Sequence, residues 1–225
     1  MKRLIFIVEG ETEEAFVNNI LRPYFKTECN FYNIVCFKLK HSRGGVSKYK
    51  YIKNDLVTAI NESDAVVTTM IDFYQIPKDV PGYAESLQIL KNEQRVAVIE
   101  DKIKEDLVCH YEKAATTFIP YIQLHEFEAI LFSSDKGFTE LFDAREADFE
   151  ELQRIMKTFP NPEDIDNGSN TAPSKRLMNC IKGYEKVLYG FALADEIGVV
   201  EIMRKCPHFK QWIEKLKRVI DTSNI

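Results

Sequence analysis

Four short apolar segments divide the first 125 residues of the chain, and longer amphipathic segments separate them. The apolar segments are rich in β-branched and aromatic residues, as buried strands are, and they span residues 4–8, 33–39, 65–71 and 118–124. Helical spacing of the apolar residues between them predicts helices at 13–25, 49–60 and 83–113, the last with a possible break near Asn92. The alternation predicts an α/β fold with a mostly parallel, four-stranded sheet flanked by helices.

The second half of the chain is helical in its periodicity almost throughout. Helices are predicted at 127–133, 137–143, 146–158, 174–183 and 190–220, with a polar, proline-containing loop at 159–173. The chain has no internal repeat, low-complexity tract or long linker that would mark an independently folding domain. We therefore expect an α/β core over residues 1–132 and a C-terminal helical extension over residues 133–225 that packs on it.

Composition limits where the protein works and what it binds. Its five cysteines are an odd number without a CxxC pair, so we expect a reducing, cytoplasmic environment and neither a disulfide framework nor a cysteine zinc site. No stretch approaches the roughly 20 apolar residues that span a bilayer, so no membrane association is expected. The net charge of −5 gives no general attraction to nucleic acid, which would need a local patch, bridging metal ions or a partner protein.

Acidic residues follow three of the four predicted strands. They are Glu9 after the first strand, Asp72 after the third, Glu126 and Glu128 after the fourth, and Glu13 about one helical turn beyond Glu9. Parallel strands point their carboxyl ends the same way, so these side chains should meet at one edge of the sheet. Confined like charges are unfavourable without protons or a cation, and carboxylate oxygens suit Mg²⁺ or Mn²⁺. The sequence therefore predicts a divalent-metal site.

A purely structural interpretation of these acids also stands. Asp and Glu are common in the first turn of a helix, where they interact favourably with free backbone N–H groups. Thr12 is the expected N-cap of the first helix, and Glu13 and Glu14 would then only complement the helix dipole. For one acid the two interpretations are about equally good, whereas acids clustered at one edge favour a functional site.

A small basic loop precedes the second helix and is a candidate phosphate-binding segment. It combines two glycines with Arg43 and Lys48, and its N–H groups could close over a phosphate together with the helix start. The chain has no P-loop or dinucleotide-binding glycine motif. For this segment alone, an ordinary surface loop is the better interpretation.

A second basic segment begins the predicted helix near residue 174. Ser174, Lys175 and Arg176 follow a proline, which suits the first turn of a helix and leaves N–H groups free to bind an anion. Arg176 could instead pair with Asp164 or Asp166 and fix the preceding loop. We favour the phosphate-binding interpretation slightly.

His125 is the histidine with a candidate chemical role. The four histidines show neither HxxxH nor HExxH spacing, which argues against a zinc hydrolase. His125 adjoins Glu126, however, and could contact a scissile phosphate or carry a proton. A buried structural histidine is the commoner outcome for a residue of this kind. Trp212 is predicted to belong to the core of the last helix.

Four blocks of sequence resemble one family of uncharacterised bacterial proteins. They are VEGETEEAFV at 8–17, TTMIDFYQIPKDVPG at 68–82, PYIQLHEFEAILFS at 120–133 and NTAPSKRL at 170–177. The N-terminal half of that family looks like the TOPRIM fold, the metal-binding catalytic domain of topoisomerases, primases and OLD-type nucleases. The order and spacing of the blocks make the resemblance specific, and it extends over most of the chain.

The resemblance implies roles for individual positions. Glu9 matches the glutamate of the first TOPRIM strand, which acts there as a general acid/base or metal ligand. Glu13 falls where OLD-type nucleases have a second glutamate, and Asp72 matches the first aspartate of the Asp-x-Asp motif. Tyr74 stands where that motif has its second aspartate, so a two-metal site would need a replacement ligand. One of the two glutamates after the fourth strand is the natural candidate.

Together these features predict a TOPRIM-type nuclease or phosphodiesterase that depends on Mg²⁺ or Mn²⁺ and acts on nucleic acid, most simply DNA. Glu9 or His125 would transfer protons, while Asp72, Glu13 and Glu126 would hold the metal ion. By resemblance, such a protein would act with an ATPase partner in bacterial defence or DNA processing. One alternative, favoured by the missing second aspartate, is a non-catalytic TOPRIM-like regulatory or adaptor module of an ATPase complex. A phosphotransferase or phosphatase for small molecules is a third.

Overall fold

The structure is a computed structural model of the chain, and it describes residues 3–40, 47–74, 76–165, 168 and 170–221. Within these ranges, one parallel sheet contains β1 (Arg3–Val8), β2 (Ile34–Lys38), β3 (Ala65–Asp72), β4 (Phe118–Ile119) and β5 (Ile122–Gln123). The strand order is β2-β1-β3-β4, and β5 pairs with β3 beyond the end of β4. The prediction of an α/β fold with a mostly parallel sheet is confirmed.

The fourth predicted strand is divided into β4 and β5 by Pro120 and Tyr121. Proline has no N–H group to donate to a sheet, and side chains of β3 supply hydrogen bonds at the interruption. Thr69 Oγ1 accepts from the Tyr121 N–H (2.9 Å) and donates to the Tyr121 carbonyl (2.8 Å). Thr68 Oγ1 donates to the Ile119 carbonyl (2.6 Å). Both short strands therefore remain parallel neighbours of β3.

Helices flank the sheet and dominate the second half of the chain. The α-helices are α1 (Glu11–Phe16), α2 (Arg22–Cys29), α3 (Tyr49–Ile60), α4 (Tyr83–Ser86), α5 (Asn92–His110), α6 (Ala114–Thr117), α7 (Lys136–Leu141), α8 (Phe149–Thr158), α9 (Pro173–Cys180), α10 (Lys186–Ile197), α11 (Val199–Lys205) and α12 (Pro207–Asp221). A π-helical turn (Val17–Leu21) joins α1 to α2, and 3₁₀ segments occupy Phe127–Ser133 and Pro162–Asp164. No helix in the described ranges is long and apolar enough to cross a membrane.

Several of the helix predictions are wrong in detail: the helix predicted at 13–25 is divided by the π-helical turn, and the segment at 127–133 is a 3₁₀ helix. Gly10, not Thr12, is the N-cap of α1. The long helix predicted at 190–220 is three helices, because Gly198 has a φ of +80° between α10 and α11 and Pro207 starts α12. Glycine adopts a positive φ without the penalty that a Cβ brings, and proline suits the first helical position. α10 also begins at Lys186, four residues before the predicted start.

The apolar residues of β1 alternate between the two faces of the sheet, as a strand period of two requires. Ile5 and Ile7 belong to a core shared with α3 and α5. Leu4, Phe6 and Val8 belong to the opposite core, which they share with α1, α2 and helices of the second half. The helical extension therefore packs against the sheet, and its predicted boundary after residue 132 stays a prediction.

Trp212 anchors α12 to the sheet. Its Nε1 donates a hydrogen bond to Thr68 Oγ1 (2.8 Å), and its ring stacks on the Tyr121 ring with centroids 4.0 Å apart. The indole is fully buried, so it contributes apolar burial without leaving its N–H group unpaired. The prediction that Trp212 belongs to the core is confirmed.

Candidate functional site at the carboxyl edge of the sheet

A cavity of about 520 Å³ opens at the carboxyl ends of β1 and β3. Residues that line it include Glu9, Glu13, Asp72, Lys38, Lys40 and Lys186. The charges of Glu126 and Glu128 also act on Asp72, so all five acids that follow the predicted strands lie in one electrostatic environment. This convergence follows from the parallel topology, which brings the carboxyl ends of neighbouring strands together.

Glu9 joins the ends of the two central strands. It is the residue directly after β1, and its Oε2 accepts a hydrogen bond from the backbone N–H of Asp72 at the end of β3 (3.1 Å). Burial raises the pKa of Glu9, while this hydrogen bond and the charge of Lys186 oppose the rise. A carboxyl group with a raised pKa can accept and return a proton nearer to neutral pH than an exposed glutamate.

Glu13 closes the first turn of α1 from inside the cavity. Its Oε2 accepts a hydrogen bond from the Gly10 N–H (2.9 Å), so the side chain does cap the helix as the structural interpretation required. Burial raises the pKa of Glu13 to about 7, and the charges of Glu9 and Glu128 add to the rise. Near neutral pH, Glu13 therefore exchanges its proton readily.

Asp72 differs from the four glutamates because, among the described residues, it alone in this group has a buried oxygen that lacks a hydrogen-bond partner. Its Oδ1 is buried and has no hydrogen-bond partner among the residues that the structure describes. Burial raises the pKa of Asp72 well above its usual value, and the charges of Glu13 and Glu9 raise it further. A buried polar atom without a partner costs free energy, and a bound cation or a proton would relieve that cost.

The two glutamates after β5 hold separate parts of the helical half. Glu126 Oε2 accepts a hydrogen bond from the Ser174 N–H at the start of α9 (3.0 Å). Glu128, whose side chain is 2% exposed, lies 3.0 Å from the Lys186 Nζ at the start of α10. Burial raises the pKa of Glu128, and Lys186 opposes the rise. Burial alone would lower the pKa of Lys186, but the surrounding acids, Glu128 first, outweigh burial and raise it.

The acid group carries more negative charge than Lys186 neutralises. Lys38 also lines the cavity but pairs with Glu11 and Glu14, and Lys40 pairs with Asp55. Like charges in a partly desolvated space repel strongly, so protons or a cation must balance the remainder.

The side chains are not arranged as a finished metal site. Over the described ranges, no group of three or more His, Cys, Asp or Glu side chains could hold a metal ion in its present arrangement. The hydrogen bonds explain why, since Glu9, Glu13 and Glu126 each direct one oxygen to a backbone N–H group and Glu128 directs one to Lys186. Each glutamate retains a second oxygen. Binding of a cation would therefore require side chains to turn toward Asp72.

His125 is buried and is not among the residues that line the cavity. The residue is 2% exposed, and its backbone has a φ of +65°, in the left-handed region that non-glycine residues seldom adopt. Its carbonyl accepts a hydrogen bond from the Tyr74 N–H (2.9 Å), which ties the turn after β5 to the end of β3. A role of His125 in proton transfer stays a prediction.

The basic candidates lie at different places. The N–H of Ser174 is bonded to Glu126, so at this position α9 holds an internal carboxylate. Lys175 is exposed, and Arg176 donates to the Thr171 carbonyl (2.7 Å) and lies over the Phe159 ring. Phosphate binding by this segment stays a prediction.

The structure describes only one of the three remaining residues, which are two basic candidates and a possible partner of Arg176. Lys48 is exposed immediately before α3, whereas Arg43 lies outside the described residues. Asp166, which the sequence offered as one partner for Arg176, lies outside them too.

Sequence reasoning missed Lys186, which pairs with Glu128. The predicted start of its helix at residue 190 left Lys186 in a loop, whereas α10 begins with it. A lysine at a helix start is unfavourable beside the positive end of the helix dipole. That mismatch was the one local signal that a negative partner compensates it.

Comparison with known proteins supports a family and nothing beyond it. No curated protein and no solved structure matched the chain. The predicted relation to TOPRIM domains and OLD-type nucleases therefore remains a proposal. The model of a family described as a domain of unknown function (DUF4276) matches residues 8–217, and the chain belongs to that family.

Proposed function

We propose that the protein is a divalent-metal-dependent phosphodiesterase of TOPRIM type that cleaves nucleic acid. The observation that carries the proposal is the buried, unpartnered Oδ1 of Asp72 within a group of acids at the carboxyl edge of a parallel sheet. Open α/β sheets place their functional groups at this edge. A divalent cation would both satisfy that oxygen and offset the excess negative charge.

The carboxylate oxygens of this group suit an oxygen-ligated cation such as Mg²⁺ or Mn²⁺ once the side chains turn toward it. Asp72 would hold it together with the second oxygen of Glu13, and Glu126 or Glu128 would take the place of the missing second aspartate. When bound, the cation would polarise a phosphate and neutralise charge that develops during hydrolysis. Glu9, whose pKa burial raises, is the residue we assign to proton transfer, with His125 as the alternative.

The cavity also offers positive charge for a phosphate. Lys38, Lys40 and Lys186 line it beside the acids, and a phosphate could draw them from the carboxylates with which they now pair. The overall charge of −5 still disfavours DNA binding by the isolated chain. We therefore propose that the protein works in the cytoplasm with a DNA-engaging ATPase partner, in bacterial defence or DNA processing.

A specific observation favours a second function, a non-catalytic regulatory or adaptor module of an ATPase complex. Tyr74 occupies the position of the second aspartate, and the described side chains form no ready group of three metal ligands. In that case the acids would only stabilise the fold, through their hydrogen bonds to backbone N–H groups.

Cleavage of DNA in the presence of Mn²⁺ tests the proposal. Purified protein is incubated with plasmid and Mn²⁺, with and without the product of a neighbouring ATPase gene. We expect weak cleavage by the protein alone and more with the ATPase. Glu9→Gln should reduce the rate about 100-fold or more, the usual range for loss of a general acid or base, because the amide can keep the Asp72 hydrogen bond but cannot transfer the proton.

Glu105→Gln is the matched control. It makes the same glutamate-to-glutamine change on the exposed surface of α5 and should leave the rate within about twofold of wild type. Equal cleavage by wild type and Glu9→Gln would show that the activity belongs to a contaminant or does not use this site. No cleavage under any condition, together with tight binding to the ATPase, would favour the adaptor function.

A further inference from the structure

Lys186 has the position of an internal counter-ion. Its Nζ lies 3.0 Å from Glu128 Oε1, and its charge also acts on Glu9 and Asp72. The two side chains of this pair differ in how easily they can move, because the Glu128 side chain is 2% exposed whereas that of Lys186 is 48% exposed. Lysine has a long, flexible stem, so the ammonium group can leave this pair more easily than the carboxylate can.

The helix that Lys186 begins packs closely against α1. α10 crosses α1 at Gly190, where a Cβ atom would lie 2.9 Å from the Cγ2 of Thr12, closer than atoms can pack. Only a residue without a side chain permits this approach. The start of α10 therefore packs closely on the helix that bears Glu13, and the half-exposed side chain of Lys186 is the part with room to move.

A divalent cation and the Lys186 ammonium group compete for the same carboxylate. A cation bonded to Glu128 at about 2.1 Å would come near an ammonium group that already lies 3.0 Å from that oxygen, and like charges at such short range repel strongly. The unpartnered Oδ1 of Asp72 is an independent indication of the cation's position, because a bound cation would satisfy this buried oxygen. The Lys186 ammonium group therefore hinders a cation from binding Glu128 and Asp72 together.

We propose that a divalent cation displaces Lys186 from Glu128, and that the released ammonium group binds a phosphodiester oxygen in the same cavity, so that cation and phosphodiester bind cooperatively. This inference rests on the proposed function, because it assigns the cation and the phosphodiester to the acid site. The cation alone binds weakly, since it must leave the displaced lysine without a partner. A phosphodiester supplies that partner, and linkage requires each ligand to favour the other by the same factor.

The test measures Mn²⁺ binding to the full chain by electron paramagnetic resonance, with and without dimethyl phosphate as the phosphodiester probe. For wild type we expect dimethyl phosphate to tighten Mn²⁺ binding about fivefold or more, at the lower end of typical coupling. Lys186→Met keeps the length of the side chain without its charge. We expect it to bind Mn²⁺ alone several-fold more tightly than wild type and to lose the effect of dimethyl phosphate.

Lys102→Met on α5 is the control, because the Lys102 side chain is 41% exposed, close to the 48% of Lys186, and this variant should behave as wild type. Equal or weaker Mn²⁺ binding by Lys186→Met would overturn the inference, as would a dimethyl phosphate effect that persists in this variant. If Lys186→Met does not fold, absence of any dimethyl phosphate effect in wild type overturns it equally.

The two proposals can fail separately. Cooperative binding that depends on Lys186, in a protein that cleaves no nucleic acid, would support the inference and reject the nuclease. Cleavage that needs Glu9, in a protein whose Mn²⁺ affinity is unchanged by Lys186→Met, would support the nuclease and reject the inference.

Discussion

Replacement of Asp72 by asparagine is expected to raise the melting temperature of the metal-free protein and to abolish its stabilisation by Mn²⁺. The amide is always neutral, whereas the Asp72 carboxyl must either bind a proton or ionise where burial and the charges of Glu13 and Glu9 oppose ionisation. Wild type in Mn²⁺ at about 100 times its dissociation constant should gain about 2.7 kcal/mol. For a chain of this size, that gain corresponds to a shift of roughly 5–10 °C.

Thermal melts with and without Mn²⁺ measure both effects. Asp101→Asn makes the same change at an exposed position of α5 and should alter neither the metal-free melting temperature nor the Mn²⁺ shift. A Mn²⁺ shift of wild-type size in Asp72→Asn would remove Asp72 from the site. A metal-free melting temperature that falls by several degrees would show that the Asp72 carboxylate stabilises the fold.

The metal-free protein is expected to lose stability as the pH rises from about 5 to about 7, and Glu13→Gln should remove much of that loss. The pKa of Glu13 is about 7 in the folded chain, mainly because of burial, against an ordinary 4.5. The folded state therefore binds more protons than the unfolded state between these values, so stability falls with rising pH and levels off above pH 7. With about 1.4 kcal/mol for each pKa unit, the Glu13 contribution is on the order of 3 kcal/mol.

Urea unfolding at pH 5 and pH 8 gives the difference directly. Relative to wild type, Glu13→Gln should be stabilised at pH 8 by on the order of 2–3 kcal/mol and much less at pH 5, while Glu105→Gln should follow the wild type at both. Saturating Mn²⁺ should flatten the wild-type dependence, because the cation favours the ionised carboxylates. An advantage of Glu13→Gln that is the same at both pH values would contradict the assigned ionisation.

The architecture was predictable because it depends on local pattern and on chirality. Strand-length apolar runs and helical periodicity placed the elements, and α3 matches its predicted range of 49–60 at both ends. The possible break near Asn92 was also correct, since α5 begins there after a short α4. Parallel connection then determines that Glu9 and Asp72 come to the same edge, which is why the acid group could be anticipated.

Features that depend on long-range contacts could not be read from the sequence. Thr69 supports the interrupted fourth strand through Tyr121, a residue 52 positions away. The pair of Glu128 and Lys186 depends on how α10 crosses α1, which Gly190 permits. A glycine in a predicted helix does not indicate which other helix packs against it.

The acids also show that a structural and a functional interpretation can hold for the same residue. Glu9, Glu13 and Glu126 each satisfy a backbone N–H group, as the structural interpretation expects, yet all three share one environment with Asp72. Hydrogen bonding therefore does not separate the two interpretations. Asp72 does, because its Oδ1 has no such partner within the described residues.

The central claim is that the acid group binds a divalent cation, and anomalous diffraction from crystals soaked in Mn²⁺ tests it most directly. We predict a peak within about 2.5 Å of an Asp72 oxygen, with an oxygen of Glu9, Glu13, Glu126 or Glu128 also in contact, and Lys186 moved away from Glu128. Wild-type crystals without a peak in this cavity at saturating Mn²⁺, and with the Lys186–Glu128 pair intact, would contradict the claim.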